Sequence, residues 1–128
     1  MIYVWIGLGS ALGGMARYWF YGAMARMAGE TFPWGTLIVN VLGCWFIGLF
    51  ATLTGPEGRL LVQSSTRMFV MTGICGGYTT FSTFSLETLN LVREGEWAKA
   101  LGNAAASMIL CLLGVWLGHV AASALNER

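Results

Sequence analysis

Charge is what this chain has least of. Of its 128 residues only 10% are Asp, Glu, Lys or Arg, against roughly 25% in an average soluble domain. There is no aspartate, one lysine (Lys99) and one histidine (His119). Seven basic and six acidic side chains are too few to cover a water-soluble globule of this size. The hydrophobic residues, 56% of the total, must therefore face lipid. A net charge of +1 supplies neither a basic patch nor an acidic tail. That excludes nucleic acid as a partner and leaves the lipid bilayer, a small solute and other copies of the chain. The length allows one domain, residues 1–128.

Catalytic groups are equally scarce. His119 has no evident nucleophile partner, and no Gly-rich loop follows a strand as a nucleotide site requires, so an enzyme is not expected. Cys44, Cys75 and Cys111 lie within apolar runs. They show no CxxC spacing and have no nearby His or carboxylate, so they read as small core residues. The N-terminal MIYVWIGLGSALGGMARYWF lacks an early basic stretch and reaches its first charge at Arg17. It reads as a membrane span rather than a cleaved signal.

What is present is long apolar sequence. A bilayer core of about 30 Å needs around 20 apolar helical residues per crossing. Four segments meet that length, at about 2–24, 32–54, 68–92 and 100–123. The expected fold class is an all-α membrane protein of four transmembrane helices, with short connections (ARMAGETFP, GPEGRLLVQSSTR, REGEWAK) and both termini on one side. The side holding the termini carries Arg59, Arg67 and Arg128, and the other carries Arg26, Arg93 and Lys99. Three against three gives no positive-inside signal. Two oppositely oriented copies could then pair about a two-fold axis in the membrane plane, the other reading being one orientation set by weaker cues. GxxxG pairs at Gly9 and Gly13, Gly73 and Gly77, and Gly114 and Gly118 allow close backbone approach, between copies or within the chain.

The third segment departs from an ordinary span. TGICGGYTTFSTFSLETLN combines glycines with a run of hydroxyls. Gly76 and Gly77 followed by Thr79 and Thr80 are poor helix formers, so a break is expected between Gly76 and Thr80, near the bilayer centre. Irregular backbone at that depth is tolerated only where protein or a water-filled cavity covers it, and freed carbonyls there can coordinate a small cation. Phe81 and Phe84 follow three apart on one helix face, with Ser82, Thr83 and Ser85 around them. Their positive ring edges suit an anion, while ordinary helix packing is the simpler account of a lone Phe pair, an account the flanking hydroxyls weaken without reversing.

Asn40, with Thr36 one turn earlier, lies well inside the second segment. In hydrocarbon its amide must clamp a neighbouring helix or line a polar path. Asn103, Ser107 and Cys111 recur every four residues as a modestly polar stripe on the last segment. Arg17 and Glu87 are charges within spans near the same membrane side. Arg17 can snorkel to the interface or concentrate anions in a vestibule; Glu87 can pair with it or mark an entrance. Trp19, Trp34 and Trp97 suit interfacial belts, and His119 an interface.

At GGMARY, FPWGTLIVNVLG and TGICGGYTTFSTFSLE, in that order and spacing over essentially the whole length, the chain resembles the Fluc (CrcB) family of bacterial fluoride channels. The resemblance implies an antiparallel, dual-topology homodimer in the bacterial inner membrane. It implies two fluoride pores and a central structural sodium ion, with fluoride leaving the cytoplasm. By motif, Asn40 looks like the pore amide and Phe81 and Phe84 like the ring-edge pair. Thr36, Ser82, Thr83 and Ser107 would be polar contributors, and the backbone carbonyls of Gly76 and Thr79 look like the sodium ligands. Arg17 and Glu87 resemble vestibule positions. One departure is that Asn103, Ser107 and Cys111 stand where a hydroxyl-rich track with a tyrosine is expected.

Two rivals come from other classes. A small four-span multidrug or cation exporter would hold a carboxylate in its first helix, whereas the first acid here is Glu30, in a loop. A non-transporting assembly subunit would use its polar residues only to join helices.

Overall fold

The computed structural model describes residues 1–128, and every regular element in it is helical. α1 spans Ile2–Ala28, α2 Trp34–Leu53 and α3 Ser64–Met68. α3 continues into a π-helical stretch, Phe69–Cys75, and then into α4, Gly76–Tyr78. After an interruption come α5, Phe81–Arg93, and α6, Trp97–Asn126.

Three of the four expected segments are single helices, and their ends differ from the sequence reading. α1 continues four residues past 24, and α6 starts three before 100 and ends three beyond 123. Hydrocarbon thickness limits the apolar run, not the helix, so a helix can project into the interface. At 1.5 Å per residue α1 is about 40 Å long and α6 about 45 Å. By length and composition two helices, α2 and α6, are apolar enough to cross a membrane.

The third segment is broken where its composition suggested. Thr79 (φ −83°, ψ 159°) and Thr80 (φ −153°, ψ 114°) are extended. Thr80 then caps α5, its hydroxyl accepting from Thr83 N at 3.1 Å. The π-helical stretch ahead of the break was not expected. It occurs where two backbones nearly touch: a Cβ on Gly73 would sit 2.9 Å from Gly9 Cα, and one on Gly77 would sit 2.9 Å from Ser10 Cα.

All three GxxxG pairs pack within the chain. Gly9 and Gly13 meet the π stretch and α4, while Gly114 and Gly118 meet α2 at Val41 and Trp45. The intrachain reading of these motifs is the one realised. The interior is small, with 18 of 128 residues buried. Large apolar side chains on the outer faces, among them Trp19, Leu101 and Met108, are exposed. A chain with so thin a core and so apolar an exterior relies on lipid or on another polypeptide to cover it.

Candidate functional site

The helix break and α2 build one unit. Asn40 Nδ2 donates to the Thr80 carbonyl at 3.0 Å, and Thr80 N donates to Asn40 Oδ1 at 2.8 Å. A residue deep in α2 thus supplies the acceptor that Thr80 N loses at the break and gives the Thr80 carbonyl a donor from outside the helix. The clamp reading of Asn40 is realised, yet the amide has two N–H groups and the clamp uses one.

That clamp has a further effect on the backbone. In an unbroken helix, Thr80 N would bond the Gly76 carbonyl and Thr83 N the Thr79 carbonyl. Here those amides donate to Asn40 Oδ1 and Thr80 Oγ1. The Gly76 and Thr79 carbonyls therefore lose their α-helical donors. Gly76 is exposed, and a Cβ added there would meet only Met71 O, at 3.8 Å.

Beside the break is a cavity of about 400 Å³. Asn40, Gly76, Thr79, Phe81, Phe84 and Ser107 all line it, so six of the candidate pathway and sodium-ligand residues converge. The Phe81 and Phe84 rings are 5.5 Å apart between centroids and inclined at 51°. Phe81 is 77% exposed, which removes the simple packing explanation for it within one chain.

The remaining candidates lie outside this cavity. Ser82 and Thr83 face the Thr80 hydroxyl, at 3.4 Å and 3.0 Å. Thr36 lines a wider cavity, of about 590 Å³, with Tyr21, Glu87, Asn90 and Lys99. Its hydroxyl donates to Glu87 Oε1 at 2.5 Å, with Tyr21 Oη 3.4 Å away. Glu87 thus stands at a cavity wall, bonded to Thr36 and not to Arg17. Arg17 is half-buried, and the chain's single ion pair joins Lys99 to Glu96.

A polar chain connects α6 to α5. Ser107 Oγ donates to Asn103 Oδ1 at 3.5 Å, Asn103 Nδ2 to Thr88 Oγ1 at 3.0 Å, and Thr88 Oγ1 to the Phe84 carbonyl at 2.7 Å. Asn103 is 1% exposed, and its amide bonds on both sides, donating to Thr88 and accepting from Ser107. Thr88 and Tyr21 were not singled out from sequence, and Thr80 was named there for the break and not as a helix cap or as the partner of Asn40. Thr88 stands four residues after Phe84 on the same helix face, a spacing that could have drawn attention to it.

These features meet a known family. Residues 4–119 match the family described as CrcB-like protein, Camphor Resistance (CrcB). The chain is 59% identical to a protein of Opitutus terrae over 126 residues, covering 98% of this chain and 96% of the relative. It is 58% identical to one of Methylocella silvestris, covering 99% and 97%, and 52% identical to one of Rhodospirillum rubrum, covering 99% and 98%. Each of the three relatives is named a fluoride-specific ion channel, FluC. With a family match over nearly the whole chain and identity above half, this chain belongs to the CrcB-like family.

Proposed function

We propose that the chain is a fluoride-specific ion channel, as its relatives are named, and not an enzyme. The observation that carries this reading is the convergence of Asn40, Phe81, Phe84 and Ser107 on one cavity beside a helix break. Fluoride is small and strongly hydrated, so a pore must replace its water with closely placed donors. The second Asn40 N–H and the ring edges of Phe81 and Phe84 provide them at the cavity, the Ser107 hydroxyl would join them by turning from Asn103, and Ser82 and Thr83 would serve the path beyond the cavity, all without a fixed positive charge that would trap the anion. Thr36 and Glu87 line the entrance cavity, and Arg17 raises the anion concentration near that membrane side.

The functional unit in this proposal is an antiparallel homodimer in the bacterial inner membrane, each copy crossing four times. The even Lys and Arg distribution and the exposed apolar exterior support it. Two copies of the break would meet at the two-fold axis. The Gly76 and Thr79 carbonyls, freed from helical donors, form an all-oxygen donor set of the kind a sodium ion takes. With two from each copy they would hold a structural sodium ion, which supplies positive charge at the dimer centre.

Passage is passive in this scheme. Hydrogen fluoride enters a cell from acid surroundings and ionises inside, and an open pore lets the anion leave down its electrochemical gradient. The test is fluoride efflux from liposomes containing only this protein. Fast, proton-independent fluoride flux with little chloride leak supports the channel. Proton-coupled cation exchange would make it an exporter, and no transport at all would make it an assembly subunit.

A further inference from the structure

The helix break is held at two successive points by α2. Asn40 takes the Thr80 peptide, and Gly43, three residues on and so on the same face, lies against Thr79. A Cβ on Gly43 would fall on the Thr79 Cγ2 methyl, with Cδ2 of the Tyr78 ring 3.4 Å away. Gly43 is buried, so its missing side chain leaves a notch in α2, and the Thr79 methyl fills it. The other branch of that side chain is held too, its hydroxyl donating to the Cys75 carbonyl at 2.9 Å. A β-branched side chain fixed at both branches is locked in one χ1 rotamer.

The peptide joining Thr79 to Thr80 is planar. The seated Thr79 side chain fixes one end, and Thr80 N, donating to Asn40 Oδ1 at 2.8 Å, fixes the other. The Thr79 carbonyl between them therefore has a set direction. We propose that Gly43 is a positioning residue for the sodium site: its notch seats the Thr79 methyl and thereby aims the Thr79 carbonyl at the ion. This role rests on the reading of the Gly76 and Thr79 carbonyls as sodium ligands. A methyl group added at Gly43 is not absorbed locally. Turning Thr79 about χ1 withdraws its hydroxyl from Cys75, and keeping that bond displaces the Thr79 backbone with its carbonyl.

The unsubstituted protein and its variants, purified in detergent, are unfolded thermally across a sodium chloride series, with N-methylglucamine chloride holding the ionic strength constant. The rise of the midpoint with sodium gives the affinity. Gly43→Ala should weaken sodium binding by about 10–100-fold, as loss of a ligand-orienting contact does. Thr79→Ser keeps the hydroxyl and empties the notch, so it should weaken binding by less. Adding Gly43→Ala to Thr79→Ser should then strengthen binding, because the new methyl fills the space that the old one left. A merely structural glycine gives no such reversal. Gly114→Ala, which would bring a Cβ within 3.1 Å of the Val41 carbonyl, should lower the midpoint at every sodium concentration and leave the affinity within about twofold. If Gly43→Ala alone does not fold, the comparison of Thr79→Ser with the double variant decides. Unchanged sodium affinity in Gly43→Ala, or a double variant that fails to fold or binds sodium no more tightly than Thr79→Ser, overturns the role of the notch alone. A midpoint that sodium does not move in the unsubstituted protein overturns the sodium site, and this role with it.

Discussion

Asn40 and Thr80, forty residues apart, hold each other through two antiparallel hydrogen bonds of 3.0 and 2.8 Å between a side-chain amide and a main-chain peptide. The side chain replaces the helical acceptor that Thr80 N gives up and donates a further bond to the Thr80 carbonyl. It fixes the start of α5, and with it the direction in which Phe81 and Phe84 leave the break.

Asn40→Asp separates the two bonds. A carboxylate still accepts from Thr80 N but opposes the Thr80 carbonyl with a second acceptor. The variant should lose most fluoride efflux from liposomes. Leaving a buried group unsatisfied also costs about 1–3 kcal/mol, to be read as a lowered unfolding midpoint in detergent. Full efflux would show that the amide takes no part in the path.

Phe81→Ile should behave differently. Its ring is 77% exposed, so the stability change should stay within about 0.5 kcal/mol, as at surface positions. Efflux should nonetheless fall sharply, because isoleucine has no ring edge. Size-exclusion chromatography and efflux measured on one preparation separate the two effects.

The close approach of α1 to the π stretch and α4 makes a paired test. Gly13→Ala would drive a Cβ into the Ile74 carbonyl, whereas at Gly14 nothing lies within 4 Å. The first substitution should destabilise by about 1–3 kcal/mol through overpacking. The second should be neutral or stabilising by up to about 1 kcal/mol from helix propensity. Thermal unfolding of both in the same detergent decides, and equal midpoints would contradict the contact.

Topology can be tested with single charges. Leu61, 96% exposed in the second connection, and Met27, 82% exposed near the end of α1, fall on opposite sides in the four-span reading. Leu61→Arg and Met27→Arg should bias insertion in opposite senses. A C-terminal reporter should then move from both sides to one, with efflux low for either variant alone and recovered on co-expression. A reporter found on one side for the unsubstituted chain would end the dual-topology proposal.

Sparse charges mark the helical segments clearly, because every long uncharged interval has to be satisfied within its own helix in lipid. The break was also legible: paired glycines followed by β-branched threonines weaken a helix locally, wherever the rest of the chain lies. The three-residue spacing likewise brings Phe81 and Phe84 to one face. The π-helical stretch was not legible, since it accompanies the approach of Gly9 to Gly73, residues far apart in sequence. The same holds for the Thr36 bond to Glu87 across 51 positions, and for the choice of Thr80 as the partner of the Asn40 clamp. Composition shows that such polar groups need partners, and only tertiary packing selects which.

The Gly76 carbonyl, left without its helical donor, bears on dosage. Main-chain oxygens stripped of helical donors are poorly tolerated in a hydrocarbon phase, so an isolated copy is a molecule with an unfinished face. Two copies meeting there would each complete the other, and the concentration of finished units would rise as the square of the number synthesised while pairing is weak. At low expression, resistance to fluoride should then set in steeply rather than in proportion to the amount of protein made.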